Sequence, residues 1–187
     1  MHLRRRLHRS RGFTLLELLI VVAITGLLAA IAVTGYTKYI HQAQSSEART
    51  VIGQIRSGEE AIRAETLSYL SCSTTMTDYY PNTTPDDSRW VWERSADSRY
   101  KNCWAMLGVH PDAPVRYGYA VMANVAPTSL PPLDGDFAKP PTWPNNWTDG
   151  TPWFVVGARN QHISSVSPSL MVATSYDGTT YSEGDDN

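Results

Sequence analysis

The sequence predicts an α+β fold in which a long amino-terminal helix packs on an antiparallel β-sheet. The predicted helix is continuously apolar over residues 13–33. It is amphipathic after that, with apolar side chains at three- and four-residue steps up to Leu70. The remainder contains short strand-like runs that are bounded by turn residues. Antiparallel strands packed on one long helix are typical of the α+β class.

The chain begins with a basic segment that is followed by an apolar run. Residues 1–12 contain five arginines and no acidic residue, whereas residues 13–33 contain a single charged residue, Glu17. As a helix, the run of twenty-one residues would cross roughly 30 Å of hydrocarbon. The basic flank predicts a single membrane span, with the amino terminus in the cytoplasm and all residues after Val33 outside.

Gly12 and Glu17 are unusual for a secretory signal. Such a signal is cleaved at small residues after its apolar run, whereas Gly12 lies before the run. Cleavage after Gly12 would therefore leave the apolar helix on the mature protein. An ionised Glu17 near a bilayer costs about 3 kcal/mol and indicates a partner, for which the new amino terminus is the obvious candidate. The alternative is a plain signal anchor, in which the Glu17 carboxylate extends to the lipid headgroups.

Together, these residues resemble the leader and first helix of the type IV pilins and the related pseudopilins. Gly12 precedes the cleavage site, Phe13 is the first mature residue, and Glu17 lies within the apolar run. The resemblance implies that a prepilin peptidase cleaves between Gly12 and Phe13 and methylates the Phe13 amine. It also implies that Glu17 pairs with the Phe13 amine of a neighbouring subunit in a filament core. Further matches are Gly26, the pair Ala29 and Ala30, Tyr36 and Tyr39.

The resemblance divides the chain into three parts. These are a cleaved leader over residues 1–12, a transmembrane and filament-core helix over residues 13–35, and a globular pilin-like head over residues 36–187. Thr34 stands where many pilins have a proline, and Gly35 alone weakens a helix only modestly, so the resemblance does not fix a kink there. For the head, it implies an antiparallel sheet of about four strands with variable loops.

The size and charge of the predicted exported part limit its function. About 150 residues follow Val33, which is enough for one domain with its own core. The leader holds five of the sixteen basic side chains, so the mature chain keeps eleven of them against eighteen acidic ones. A mildly acidic surface argues against generic DNA binding, which requires a clustered basic face.

Two cysteines, Cys72 and Cys103, lie on the exported side, where disulfides form and persist. We expect them to pair and to close a loop of about thirty residues, which stabilises the fold by roughly 3 to 4 kcal/mol. A metal site is the weaker alternative, because this spacing lacks the close ligand pairs of zinc sites.

The second half of the predicted helix has one apolar stripe and one charged face. We expect the stripe to pack on the sheet. The charged side chains are either solvent-exposed or contacts between the subunits of a fibre. The stripe includes Val51, Ile52, Ile55 and Ile62, and the charged face includes Glu47, Arg49, Arg56, Glu59, Glu60, Arg63 and Glu65.

Five strand-like runs follow the helix, at residues 90–94, 103–109, 115–125, 153–159 and 170–176. A proline-rich stretch over residues 126–152 predicts a long surface loop, and the acidic end, residues 182–187, is predicted to be mobile. Among the tryptophans, we expect Trp90, Trp104 and Trp153 in the core, whereas Trp143 and Trp147 in the loop are candidates for contact with a glycan or another surface.

The sequence contains no pattern typical of an enzyme. Three histidines of the predicted exported part, His41, His110 and His162, are far apart, and there is no phosphate-binding loop, GxSxG motif or HExxH motif. The acidic turns do not have the ligand spacing of a calcium loop. We therefore predict a protein without catalytic residues, cofactor or metal.

The predicted function is that of a structural subunit of a type IV pilus. As the resemblance implies, the subunit is held in the inner membrane and polymerised into an extracellular filament for adhesion, surface motility or DNA uptake. The implied partners are further copies of the chain, the prepilin peptidase, inner-membrane lipid, an assembly platform with cytoplasmic ATPases, and a surface or glycan ligand. The alternatives are a minor pilin, a type II secretion pseudopilin, and a membrane-tethered adhesin or carbohydrate-binding module.

Overall fold

A computed structural model of the protein describes residues 12–93, 96–124, 151–161, 168–176 and 178–183, apart from the side chains of Thr34 and Thr37. The chain divides into two compact units, Met1–Ile40 and His41–Asn187. Most of the predicted loop, with Trp143 and Trp147, lies outside the described residues, and so does His162. The elements are helix α1 (Leu15–Thr66), a short π-helix (Tyr100–Trp104) and the strands β1 (Gly118–Asn124), β2 (Trp153–Asn160), β3 (Ser169–Thr174) and β4 (Thr180–Glu183).

Helix α1 is uninterrupted through Thr34 and Gly35. In the first unit, its apolar side chains are exposed from Leu15 to Val33. By length and composition alone, this helix could cross a membrane. An exposed apolar surface of this size indicates a site of contact with lipid or with other protein chains.

Helix α1 ends at Thr66, about one turn before the predicted end near Leu70. The next residue, Leu67, has a φ of 63°, the left-handed conformation that commonly terminates helices and that glycine adopts most easily. Its amide donates a hydrogen bond of 2.9 Å to the Arg63 carbonyl. The Thr66 Oγ1 atom lies 2.9 Å from the carbonyl oxygen of Ser68, and this contact helps to turn the chain away from the helix axis.

The four strands form one antiparallel sheet in the order β1-β2-β3-β4. Val121 is opposite Val156, and Val156 is opposite Ala173, so these side chains share the face that packs in one core with α1. The predicted α+β class is confirmed, and the runs 115–125, 153–159 and 170–176 correspond to β1, β2 and β3 with slightly different ends. The buried stripe of the helix comprises Ala48, Val51, Ile52 and Ile55.

The opposite face of the sheet is apolar and buried as well. Trp153 and Val155 of β2 pack with Val172 of β3 and with Met76. Met76 also lies over Gly157. A Cβ at this glycine would come within 2.8 Å of the Met76 Cε atom. Burial on both faces explains why β2 and β3 are almost continuously apolar in the sequence.

The segment that follows α1 pairs with the outer edge of β1. The amides of Cys72 and Ser73 donate hydrogen bonds of 3.1 and 2.8 Å to the Val121 carbonyl. Further along, Tyr80 and Tyr119 exchange two backbone hydrogen bonds of 2.8 and 2.7 Å. Residues 72–80 therefore cover an edge that would otherwise present unpaired backbone groups.

The predicted disulfide between Cys72 and Cys103 is present, with 5.4 Å between the two Cα atoms. Cys103 belongs to the π-helix, so the predicted strand at residues 103–109 is wrong. The π-helix instead directs Trp104 into an aromatic cluster, where its ring centroid lies 5.2 Å from that of Tyr80 and 5.3 Å from that of Trp92. The disulfide therefore ties residues 72–80 to this cluster.

Two further strand predictions need correction. In the described part of residues 90–94, the β-pairing consists of one isolated bridge between Trp90 and Val115. Strand β4 is not among the predicted strands, and its last two residues belong to the predicted mobile end, yet it pairs with β3 and places Tyr181 opposite Val172. Core positions are confirmed for Trp104 and Trp153, whereas Trp90 is half-buried and Trp92 is buried.

Candidate functional site

The amino-terminal end of α1 is closed by a capping box that Thr14 and Glu17 form. The Thr14 Oγ1 atom accepts a hydrogen bond of 3.2 Å from the Glu17 amide. In return, the Glu17 Oε2 atom accepts hydrogen bonds of 2.9 Å from the Thr14 amide and the Thr14 hydroxyl. A threonine followed three residues later by a glutamate is a sequence signal for this motif. The sequence prediction missed the cap, because it considered Glu17 as a partner for an amine or as a residue that extends to the lipid headgroups, and not as a partner of Thr14.

Gly12 and Phe13 lie in the exposed segment before α1. The Phe13 side chain is 76% exposed, and Gly12 has no atom within 4 Å of the position that a Cβ would occupy. Phe13 and Glu17 are four residues apart, which corresponds to about one helical turn. An amine at Phe13 would therefore lie near the Glu17 carboxylate of its own chain. Cleavage at this junction stays a prediction.

Small residues in the middle of the apolar segment leave the helix surface open. Nothing lies within 4 Å of a Cβ placed on Gly26. Ala29 and Ala30 are exposed one turn further along. Small side chains at these positions permit a second helix to approach closely, as they do in membrane helix pairs.

Comparisons with known proteins match the same segment. A family model described as "Prokaryotic N-terminal methylation motif" matches residues 7–33. Fimbrial protein Q of Moraxella bovis is 43% identical over 58 residues, which are 31% of this chain and 35% of the relative. The type IV major pilin protein PilA of Myxococcus xanthus is 44% identical over 57 residues, which are 30% of this chain and 26% of the relative. The type IV major fimbrial protein FimA of Dichelobacter nodosus is 52% identical over 51 residues, which are 27% of this chain and 33% of the relative.

The amino-terminal segment is similar to those of type IV pilins and fimbrial proteins. Gly12, Phe13 and Glu17 of this chain all fall within the matched residues 7–33. The chain spans between about a quarter and about a third of the length of these curated relatives. None of the solved structures matches the chain. The fold of the globular head therefore rests on the structure alone.

In the globular head, charged residues of α1 bind other segments of the same chain. The Glu47 carboxylate accepts a hydrogen bond of 2.8 Å from the Arg116 amide. Arg49 donates a hydrogen bond of 3.1 Å to the Ser182 hydroxyl, and Arg56 donates one of 3.1 Å to a carbonyl in the turn before β4. These contacts hold α1 to the rest of its own head. The two predicted roles of the charged face were exposure to solvent and contact between subunits, and they did not include contacts within the head.

The last turns of the helix and the residues that follow it form a polar cluster, the helix-end clasp (Glu59, Glu60, Arg63, Tyr69 and Leu70). The Leu70 amide donates a hydrogen bond of 2.9 Å to the Glu59 Oε2 atom. The Tyr69 hydroxyl donates a hydrogen bond of 2.9 Å to Glu60 and accepts one of 2.7 Å from Arg63. Glu59 is fully buried, so its predicted place on an exposed or intersubunit face is wrong. The prediction failed because the chain folds back along the helix after Leu67.

Proposed function

We propose that this chain is a structural subunit of a type IV pilus. The observation that carries the proposal is the exposed apolar part of α1 that lies in the first unit. This part starts beside the Gly12–Phe13 junction and contains one acidic residue, Glu17. Such a surface needs lipid or copies of itself around it. The names of two relatives, a major pilin and a major fimbrial protein, support this function over the alternatives.

In the proposed assembly cycle, a prepilin peptidase removes residues 1–12 and methylates the Phe13 amine. Residues 13–35 hold the subunit in the inner membrane, and residues 36–187 form the head outside it. An assembly platform with cytoplasmic ATPases then moves the subunit from lipid into an extracellular helical homopolymer. The filament serves adhesion, surface motility or DNA uptake, and a surface or glycan ligand is its external partner.

The proposed role of Glu17 is to select the position of an incoming subunit. Its carboxylate pairs with the Phe13 amine of a neighbour as the helix leaves the membrane. Apolar surroundings strengthen the attraction between two opposite charges, and they penalise a register that leaves either charge without a partner. The ion pair thereby fixes the axial position of one helix against the next.

The test is to shear filaments from the cell surface and to determine the amino terminus of their principal protein by mass spectrometry. We expect this protein to begin with N-methylated Phe13. The same species at trace level only would indicate a minor pilin or a pseudopilin. An intact leader on a membrane-bound chain would contradict the proposal and would favour a tethered binding module, for which glycan binding that depends on Trp143 and Trp147 is the discriminating assay.

A further inference from the structure

Glu59 is a buried acidic residue in the middle of the globular head. Its side chain is 0% exposed. The Oε2 atom accepts the 2.9 Å hydrogen bond from the Leu70 amide, whereas the Oε1 atom is buried and has no hydrogen-bond partner in the described part of the chain. A buried polar oxygen without a partner costs free energy, and the cost is much larger when the group is ionised.

The structure around Glu59 keeps its carboxyl away from solvent. On the preceding residue, a Cβ at Gly58 would lie 2.1 Å from the Leu107 carbonyl oxygen, so α1 touches the turn after the π-helix backbone to backbone. On the other side, the connection over residues 67–72 returns along the helix. Arg63, the basic residue of the clasp, lies 3.8 Å from Glu60 and donates a hydrogen bond to Tyr69. It therefore neutralises Glu60 rather than the buried carboxyl.

Protonation of Glu59 follows from these surroundings. The pKa of Glu59 is raised from 4.5 to about 7, and burial is the largest cause. The hydrogen bond from the Leu70 amide lowers the pKa, whereas the neighbouring Glu60 carboxylate raises it. In the unfolded chain, the carboxyl regains its ordinary pKa near 4.5. Between these two values the folded head binds a proton that the unfolded chain has lost. The contribution of Glu59 to the stability of the head is therefore highest below pH 4.5, and it falls as the pH rises to about 7.

We propose that Glu59 is a proton-operated latch of the helix-end clasp. While Glu59 is neutral, it stays beneath the connection over residues 67–72 and holds the Leu70 amide. When it releases its proton to solvent, the charged carboxylate requires hydration, and the connection opens locally to admit water. The latch belongs to the head, and its action is independent of whether the chain forms a pilus.

The first test is urea unfolding of the full-length chain in micelles of an uncharged detergent at pH 5, 6, 7 and 8. All six tryptophans follow residue 89, so their emission reports on the head. We expect Glu59 to increase the unfolding equilibrium constant roughly 70-fold between pH 5 and pH 8. The Glu59→Gln variant, which retains a hydrogen-bond acceptor for Leu70, should lose this component. The control variant Glu65→Gln changes an exposed acid of the same helix and should retain it. An equal pH dependence in Glu59→Gln and wild type would overturn the proposal.

The second test follows the latch itself by hydrogen exchange of the Leu70 amide. After correction for intrinsic exchange, the opening constant should rise with pH in the wild type and in Glu65→Gln and stay constant in Glu59→Gln. A purely structural role of Glu59 would change the opening constant without changing its pH dependence. If Glu59→Gln does not fold, NMR titration of the wild-type Glu59 carboxyl carbon decides the question: a midpoint near 7 supports the latch, and one near 4.5 refutes it.

Discussion

Glu17 has one observed role and one proposed role, and ordinary substitutions can separate them. In the structure, its Oε2 atom accepts two hydrogen bonds from Thr14 and closes the start of α1. The proposed ion pair with a neighbouring Phe13 amine requires the negative charge instead. Glutamine at position 17 keeps an acceptor for the cap and carries no charge, whereas alanine at position 14 removes the capping hydroxyl and keeps the charge.

We predict that Glu17→Gln inserts and is cleaved normally but reduces surface filaments about tenfold or more. The reason is that an amine left without its partner in an apolar filament core costs on the order of 3 kcal/mol for each subunit. Thr14→Ala should lose about 1 kcal/mol of helix stability and still assemble. Both variants are measured by immunoblotting of the membrane-bound and sheared fractions. Normal filament yield from Glu17→Gln would refute the amine pairing, and Glu17→Ala should fail to assemble in the same way.

We predict that replacing Cys72 and Cys103 together by serine destabilises the head by roughly 3 to 4 kcal/mol. The disulfide closes a loop with a sequence separation of 31, and its loss increases the freedom of the unfolded chain. Urea unfolding under oxidising conditions measures the effect. The reduced wild type should unfold like the double variant. Equal stability of the oxidised wild type and the double variant would show that the bridge does not stabilise the head.

At the residue scale, the sequence indicated Gly12, Phe13 and Glu17 as a candidate site, whose processing and amine pairing stay predictions, and it did not indicate the helix-end clasp. Gly12, Phe13 and Glu17 are separated by short, fixed steps along one chain segment, so their relation is visible in the sequence. The burial of Glu59 depends on the return of residues 67–72 along the helix, which a helical pattern of polar and apolar residues does not contain. A polar residue next to an apolar stripe is assigned to solvent unless the segment that covers it is known.

At the scale of elements, two glycines of α1 provide a matched pair. A Cβ at Gly58 would lie 2.1 Å from the Leu107 carbonyl oxygen, whereas a Cβ at Gly53 would have nothing within 4 Å. We predict that Gly58→Ala destabilises the head by roughly 1 to 3 kcal/mol, because the helix and the turn after the π-helix must move apart. Gly53→Ala should stabilise it by roughly 0.5 to 1 kcal/mol, because alanine favours the helix. Urea unfolding measures both variants, and a stabilising Gly58→Ala would contradict the close packing.

The errors in the predicted strands have a common physical cause. Residues 103–109 contain buried Trp104, Leu107 and Val109, and short apolar runs of this kind fit a strand or a tight helical turn equally well. Strand β4 is a strand that the sequence pattern does not reveal. It pairs with β3 through backbone hydrogen bonds, whereas its sequence, Thr-Tyr-Ser-Glu, shows little apolar alternation. Helix α1 could be predicted because its apolar pattern is long, and β2 because it is almost continuously apolar.

At the scale of the whole molecule, the compact unit His41–Asn187 should fold without the first forty residues. It contains the apolar residues that pack on both faces of the sheet, and the disulfide. Without the first forty residues, the chain lacks the exposed apolar surface that requires lipid. We predict that residues 41–187, exported to an oxidising compartment, form a soluble monomer. Near-ultraviolet circular dichroism and size-exclusion chromatography with light scattering test this expectation. Full-length protein in detergent serves as the control, and aggregation of the truncated chain would contradict the prediction.

The covered edge of β1 restricts how such heads can associate. Residues 72–80 occupy this edge with backbone hydrogen bonds, so another sheet cannot extend it strand by strand. Crowding of identical domains favours amyloid-like stacking wherever a sheet edge is open. In the proposed filament, the heads would remain crowded for as long as the fibre exists. Closing this side of the sheet removes one pathway to cross-β aggregation and leaves ordered growth to the apolar helices.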